Sequence, residues 1–459
     1  YIRPMHPFEI ITILLAAGSL SSLLINQDRT SFLYLLFSSV VVLILQYSLE
    51  GIRWQLIPTV YLLLAMFIVY KIKRVNYFTG STLSIWLAIS ALLPWAIPVF
   101  TLPEPGGEFP IGTETFHWVD SSRLEWFTDE SDADVRELMI QVWYPGQEPK
   151  NSGPNSYMDH MKLRSKALAS AGKIPAFFPG HLDMVKTNSH DQVDCSQKVL
   201  KYPVLIFSHG ITGSRHLHQV LFEYLASRGY VVISPDHSYD SNLTIFPDGR
   251  IADYRSDITG HPDSVMVRAK QIKTRALDIG FVIDKVYELE NGRIVSKLNG
   301  KLDLNRIALG GHSYGGATAV LGSHSYEEIK ACFILDAWIN PIPDTVIAGG
   351  IQVPLLFMGR PNWDDSDYPT NYDKLEDLIK NSKEETYHLK ISETLHLDYT
   401  DIPLMSPVIK HVMDVGSLKP AISLPLINKL VHGFLEKHLT ERSGKTLDQA
   451  LGHALLTQL

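Results

Sequence analysis

The stretch Arg306-Ile-Ala-Leu-Gly-Gly-His-Ser-Tyr-Gly-Gly-Ala317 contains a Gly-x-Ser-x-Gly pattern formed by Gly311, His312, Ser313, Tyr314 and Gly315. A short apolar run precedes it and a small-residue helix follows, the context in which this pattern builds a nucleophile elbow. Glycines two positions either side of the serine permit a strained turn and a close helix–strand approach. Such a turn lifts the hydroxyl above the sheet edge at a helix N-terminus, where developing negative charge is favoured. A serine hydroxyl needs a base, and the base needs an orienting acid.

With a serine at such an elbow, the chain order is serine, acid, histidine. His396, in Ser392-Glu-Thr-Leu-His-Leu-Asp398, follows the last expected strand and is the candidate base. His388 falls within that strand, and His411 and His432 fall in later helical segments. Two positions suit the acid. Asp336 ends a strand in Phe333-Ile-Leu-Asp-Ala-Trp338, whereas Asp364, Asp365 and Asp367 follow the next strand. Spacing alone permits either.

Acyl transfer also needs donors for an oxyanion. The N–H of Tyr314 is one candidate, and the loop Ser208-His-Gly-Ile-Thr-Gly213 points to Ile211 for the second. His209 is expected to shape that loop rather than serve as base. It joins Trp338, Phe177 and Phe178 as candidates for the substrate pocket. No histidine and carboxylate cluster has metal-ligand spacing, and no glycine-rich phosphate cradle occurs, so neither metal nor cofactor is expected.

The elements that must position these residues follow from periodicity. Thr113 to Val119 and Leu138 to Tyr144 read as a hairpin. Strands are expected at Pro203 to Ser208, Tyr230 to Pro235, Arg306 to Gly310, Ala331 to Leu335, Val353 to Met358 and Thr386 to Ile391. Helices are expected at Leu217 to Arg228, Val265 to Glu288, Gly315 to Gly322 and Ile422 to His438. Alternation of this kind gives a mainly parallel sheet with helices on both faces. Residues 151–200 break the alternation, with Tyr157, Met158, Met161, Leu182 and Met184 set between polar residues. They read as an insertion over the sheet, a lid or a surface excursion.

The first hundred residues differ from the rest. They are almost uncharged and hold four apolar stretches, Phe8 to Ile25, Phe32 to Leu49, Trp54 to Tyr70 and Phe78 to Phe100. Each is near the roughly 20 residues that cross a bilayer. The run Val40-Val41-Val42-Leu43-Ile44-Leu45 offers no polar face, as a helix of a soluble bundle would. Lys71, Lys73 and Arg74 in the third loop, with Arg29 in the first, outweigh Arg3 and Arg53. The positive-inside rule therefore puts the 71–74 loop in the cytoplasm and both termini outside. Glu9 is expected at the membrane interface. The expected organisation is a transmembrane domain of four helices (1–100), a linker (101–112), a catalytic domain (113–440) and a tail (441–459).

The 459 residues carry a formal net charge of −8 and no long basic tract, which gives no footing for nucleic acid. Cys195 and Cys332 are the only cysteines, in a polar loop and an apolar strand respectively, so no disulfide framework is expected. Oligomeric state is open.

Several stretches resemble the type II platelet-activating-factor acetylhydrolases and their bacterial relatives. They are Gln141-Val-Trp-Tyr-Pro145, Phe207-Ser-His-Gly210, Gly311-His-Ser-Tyr-Gly-Gly316, Leu335-Asp-Ala-Trp338 and His396-Leu-Asp-Tyr-Thr-Asp401. The resemblance covers roughly residues 110–440 and implies the α/β-hydrolase fold. It implies Asp336 as the acid, with Ile211 and Tyr314 as oxyanion donors. It also implies calcium-independent hydrolysis of short or oxidised acyl esters at the sn-2 position of glycerophospholipids. A broad small-ester carboxylesterase, or an acyltransferase using the same triad, carries the same motifs. The four apolar stretches depart from the secreted members and point to a bilayer-derived substrate, with the catalytic domain outside a plasma membrane.

Overall fold

The computed structural model describes residues 5–26, 29–72, 75–128, 134–150, 152–257, 261–364, 369–440 and 443–459. Arg3, Lys73, Arg74, Asp365 and Asp367 lie outside these. The chain forms two compact units. One comprises Tyr1–Thr101, His181–Val185 and Pro403–Val412; the other comprises Leu102–Gly180, Lys186–Ile402 and Met413–Leu459.

The first unit contains helices α1 (Pro7–Ser21), α2 (Arg29–Leu49), α3 (Ile57–Ile72) and α4 (Tyr77–Ala96). With their flanking turns they make four spans of 19 to 21 residues, long and apolar enough to cross a membrane. Their outward positions are greasy: Leu14, Phe37, Ile44, Leu64 and Ile85 are each more than half exposed. Their interior packs an apolar cluster that includes Leu20, Phe32, Leu62 and Met66, and beside it holds buried polar and charged groups. Glu9 is wholly buried and paired with Arg53, whose Nε lies 2.6 Å from its carboxylate. Arg53 and Gln55 both donate to Ile97 O at 3.1 Å, and Glu50 accepts from Phe8 N at 3.1 Å. Glu9 thus sits inside the bundle rather than at an interface, because its counter-ion comes from 44 residues away. These bonds pin the ends of all four helices at one level.

The second unit is built on strands β1 (Ile111–Leu124), β2 (Val135–Pro145), β3 (Pro154–Ser156), β4 (Lys186–Asp191), β5 (Tyr202–Ser208), β6 (Val231–Asp236), β7 (Leu243–Ile245), β8 (Ile251–Asp253), β9 (Leu302–His312), β10 (Ile329–Leu335), β11 (Leu355–Gly359), β12 (Thr386–Ile391) and β13 (Leu456–Gln458). All but β7 and β8 join one sheet, ordered β13-β12-β11-β10-β9-β5-β6-β2-β1-β4-β3. The run from β12 to β6 is parallel. Its helices are α5 (Met161–Gly172), α6 (Gln219–Ala226), α7 (Ser264–Glu290), α8 (Tyr314–Ser325), α9 (Asp344–Gly349), α10 (Asn371–Asn381), α11 (Pro420–His438) and α12 (Lys445–Leu451).

Strand periodicity distributes the core. In β10, Cys332 and Ile334 face the cluster formed with α7, α8, α9 and α10. Ala331, Phe333 and Leu335 face the opposite cluster, with α6, α11 and α12. Both faces are covered, which is why apolar residues fill consecutive positions in these strands, as from Ala331 to Leu335. The architecture is the α/β-hydrolase type: a mainly parallel central sheet between two helical layers.

Two segments depart from expectation. The tail folds: α12 buries Leu447, and β13 pairs antiparallel with β12 at the sheet edge. Within 151–200, β4 pairs with β1 and β3 with β4, so part of the insertion extends the sheet. Tyr157, Met158 and Met161 are buried. Arg164, also buried, donates to Asp159 at 2.6 Å and to Leu243 O at 2.6 Å, which moors the start of α5.

Candidate active site

Ser313 stands between β9 and α8 with φ 56° and ψ −121°, a conformation that costs a non-glycine residue on the order of 1–3 kcal/mol. Packing enforces it. A Cβ at Gly315 would lie 2.0 Å from Ser208 O, and one at Gly311 would lie 2.1 Å from Gly315 O, so helix, strand and loop meet at backbone distance. Ser313 N donates to Leu335 O at 3.0 Å, and Trp338 N donates back to Ser313 O at 3.0 Å. The Leu-Asp-Ala-Trp segment is thereby clasped around the elbow.

Asp336 also has a positive φ, 38°, which turns it off the end of β10. It is fully buried. Its Oδ1 accepts from Arg360 N and its Oδ2 from Arg360 Nε, both at 2.9 Å. Oδ2 also lies 2.6 Å from His396 Nδ1, and His396 Nε2 lies 2.9 Å from Ser313 Oγ. The three residues form one hydrogen-bonded chain, with the acid after β10 and the histidine after β12. Burial raises the Asp336 carboxyl, but the His396 hydrogen bond and the Arg360 charge outweigh it and bring the pKa to about 2. The carboxylate is therefore ionised throughout the neutral range, as an acceptor for an Nδ1–H must be. Asp364, the described member of the rival group, is exposed and takes no part.

The loop bearing His396 is fixed from several sides. His312 Nε2 lies 3.0 Å from His396 O, and the two rings are 4.7 Å apart. Burial first, then the His396 charge, pushes His312 down to about 3, so it is a neutral donor. Trp363 sets its ring edge-on to His396 at 5.7 Å. Asp401 accepts from Gln219 N at 2.7 Å, Val220 N at 3.2 Å and Tyr157 Oη at 3.0 Å. It caps α6 and ties the base-bearing loop to the loop that follows β5.

That second loop lies beside the serine: a Cβ on Gly210 would be 3.1 Å from Ser313 Cβ. The amides of Ile211 and Tyr314 donate to no acceptor among the described residues. His209 is wholly buried behind the loop and does not line an open pocket. Trp338 packs against Tyr314 at 5.6 Å, while Phe177 is exposed and Phe178 half-buried. Among the described residues no group of three or more His, Cys, Asp or Glu is placed to hold a metal. Residue order does not assign Arg360, His312 or Asp401 to these contacts. His312 lies inside the elbow motif, the one signal that could have flagged it.

A serine, histidine and carboxylate in line, with unpaired amides beside the hydroxyl, can transfer an acyl group. The family model for platelet-activating factor acetylhydrolase, isoform II, matches residues 107–451. The chain belongs to this family. Similar proteins include the platelet-activating factor acetylhydrolase of Canis lupus familiaris, 26% identical over 338 residues that span 68% of this chain and 73% of that one. A probable 1-alkyl-2-acetylglycerophosphocholine esterase of Arthroderma benhamiae is 23% identical over 76% of this chain and 90% of its own. Among solved structures, a ferulic acid esterase from Streptomyces cinnamoneus aligns with a TM-score of 0.63 and 26% identity, covering 79% of this chain and 100% of that one. This member of the acetylhydrolase family is a carboxylic ester hydrolase of the α/β-hydrolase fold.

Proposed function

We propose that this acetylhydrolase-family member is a membrane-anchored serine hydrolase that removes short or oxidised acyl groups from lipid esters. The observation that carries the reading is the chain Asp336–His396–Ser313, with contacts of 2.6 and 2.9 Å at a strained elbow. Ser313 Oγ attacks the ester carbonyl while His396 Nε2 takes its proton. Asp336 holds the Nδ1–H and offsets the charge of the imidazolium. The amides of Ile211 and Tyr314 receive the oxyanion. Collapse expels the alcohol, which takes its proton from His396, and a water activated by the same imidazole then releases the acid.

The lipid substrate is supported by the relatives named as acetylhydrolases and by four helices with greasy exteriors and a polar clasp within. The charge bias of the sequence supports a catalytic unit on the outer side of the membrane, which we read as the plasma membrane. Short acyl groups are favoured because extracting a chain from the bilayer costs about 0.8 kcal/mol per CH₂. A fluorophosphonate probe should label Ser313 and fail on Ser313→Ala; labelling that persists would remove the nucleophile. An sn-2 chain-length series in nanodiscs should show rates falling with length, and a steady rise would reject the short-acyl reading. The likeness to a ferulic acid esterase favours a second reading, a general esterase of small soluble esters. Brisk cleavage of such esters with no phospholipid turnover would select it.

A further inference from the structure

Arg275, on α7 and fully buried, has no part in the chemistry above, yet it touches both sides of the candidate oxyanion hole. Its Nη1 donates to His209 O at 2.5 Å, its Nη2 reaches Gly210 O at 3.4 Å, and its Nε donates to Asp240. The guanidinium also lies over the Tyr314 ring, 4.8 Å from its centroid.

Gly210 O has two further donors, His209 Nδ1 at 2.7 Å and Gly213 N at 3.1 Å. His209 can only donate from Nδ1 if that nitrogen carries the proton. His237 N donates to its Nε2 at 3.2 Å, which fixes this tautomer. Burial, reinforced by the Arg275 charge, pushes His209 down to about 3, so the ring stays neutral.

The consequence follows from peptide geometry. In a trans peptide the C=O of one residue and the N–H of the next point in opposite directions. With Gly210 O turned inward to three donors, the Ile211 N–H is turned outward, and it has no acceptor among the described residues. A flipped 210–211 peptide would instead aim a carbonyl at the site and abolish the donor.

We propose that Arg275 is a positioning residue that preforms the oxyanion hole, gripping the His209 and Gly210 carbonyls from behind while backing the ring of Tyr314. It touches neither substrate nor reacting atoms. The inference rests on Ile211 and Tyr314 being the oxyanion donors.

The test uses the full chain in detergent, with Arg275→Lys and the paired change Arg275→Gln with Asp240→Asn. Lysine keeps a charge facing Asp240, with melting followed to check the fold, but cannot span two carbonyls and an aromatic face together. For a p-nitrophenyl ester, kcat should fall by about 10²–10³-fold, the loss of one oxyanion donor, while KM moves less than about three-fold. Affinity for a trifluoromethyl ketone, whose hemiketal oxygen occupies the hole, should fall in parallel with kcat. A merely structural role would leave that affinity untouched in protein that melts normally. Unchanged kcat, or reduced kcat with full ketone affinity, overturns the proposal. Ile211→Pro, which removes the amide hydrogen, separates the two readings. If it costs 10²–10³-fold while the Arg275 variants stay active, only the positioning role fails. If it costs nothing, the donor assignment itself fails.

Discussion

Replacing Asp336 by asparagine changes one atom's charge and leaves volume intact, so its effect can be worked from the contacts. Oδ2 receives two donors, His396 Nδ1 at 2.6 Å and Arg360 Nε at 2.9 Å, and Oδ1 receives Arg360 N at 2.9 Å. An asparagine has one oxygen for these two places. If the oxygen stays on the Arg360 amide, the side-chain NH₂ faces His396 Nδ1, which must then accept. The imidazole proton moves to Nε2 and points at Ser313, and the base is lost. If the amide is reversed, the NH₂ confronts the Arg360 N–H, leaving two buried donors opposed. In the first orientation the NH₂ also opposes Arg360 Nε and the productive tautomer is lost; in the second that tautomer survives, but only against the opposed Arg360 N–H. In both the imidazolium loses its counter-charge. The expected fall in kcat is about 10⁴-fold, the size seen when a serine protease loses its triad carboxylate, or about 5.4 kcal/mol of barrier. KM should change little, because the carboxylate is fully buried away from substrate. Steady-state hydrolysis of a p-nitrophenyl ester, with melting followed in parallel, measures this. A folded Asp336→Asn variant retaining more than about a tenth of kcat would refute the reasoning, as would equal loss from Asp364→Asn.

Gly315→Ala should destabilise the fold by about 3 kcal/mol or more and abolish probe labelling, since its Cβ would sit 2.0 Å from Ser208 O; a normally melting, active variant would contradict the packing. Arg136→Met should cost about 3–5 kcal/mol in chemical denaturation, because Arg136 contacts Asp278 at 2.7 and 3.0 Å and Glu125 at 2.6 Å, and the acids would remain buried without it. A cysteine at Val295, an exposed site in the catalytic unit, should react with an impermeant thiol reagent on intact cells, whereas one at Tyr77 should be protected; both native cysteines are buried, and the opposite pattern would invert the topology.

What the sequence made legible follows from where each signal is written. Apolar runs such as Val204 to Phe207 are covered on both faces, so their strands stand out without knowledge of their neighbours. The elbow is readable because its glycines are demanded by backbone contact within a few residues of the serine. Spacing could not choose between Asp336 and Asp364, since both follow parallel strands; the choice lies in the turn at Asp336, where φ is 38°. Three-residue strands such as β13 and β3 are too short for periodicity to register. Glu9 looked interfacial because its partner Arg53 is remote in sequence. Arg275 was least visible of all. On a helix where polar and apolar residues alternate, a buried arginine reads as one more member of the wet face. Its partners, apart from Asp240, are an aromatic ring and two main-chain carbonyls, and a carbonyl belongs to every residue type. The side chains that do chemistry leave a signature in residue type and order, whereas those that orient a peptide plane act on groups common to the whole chain. A positioning device of that kind becomes visible only when the fold brings α7 behind the loop it holds.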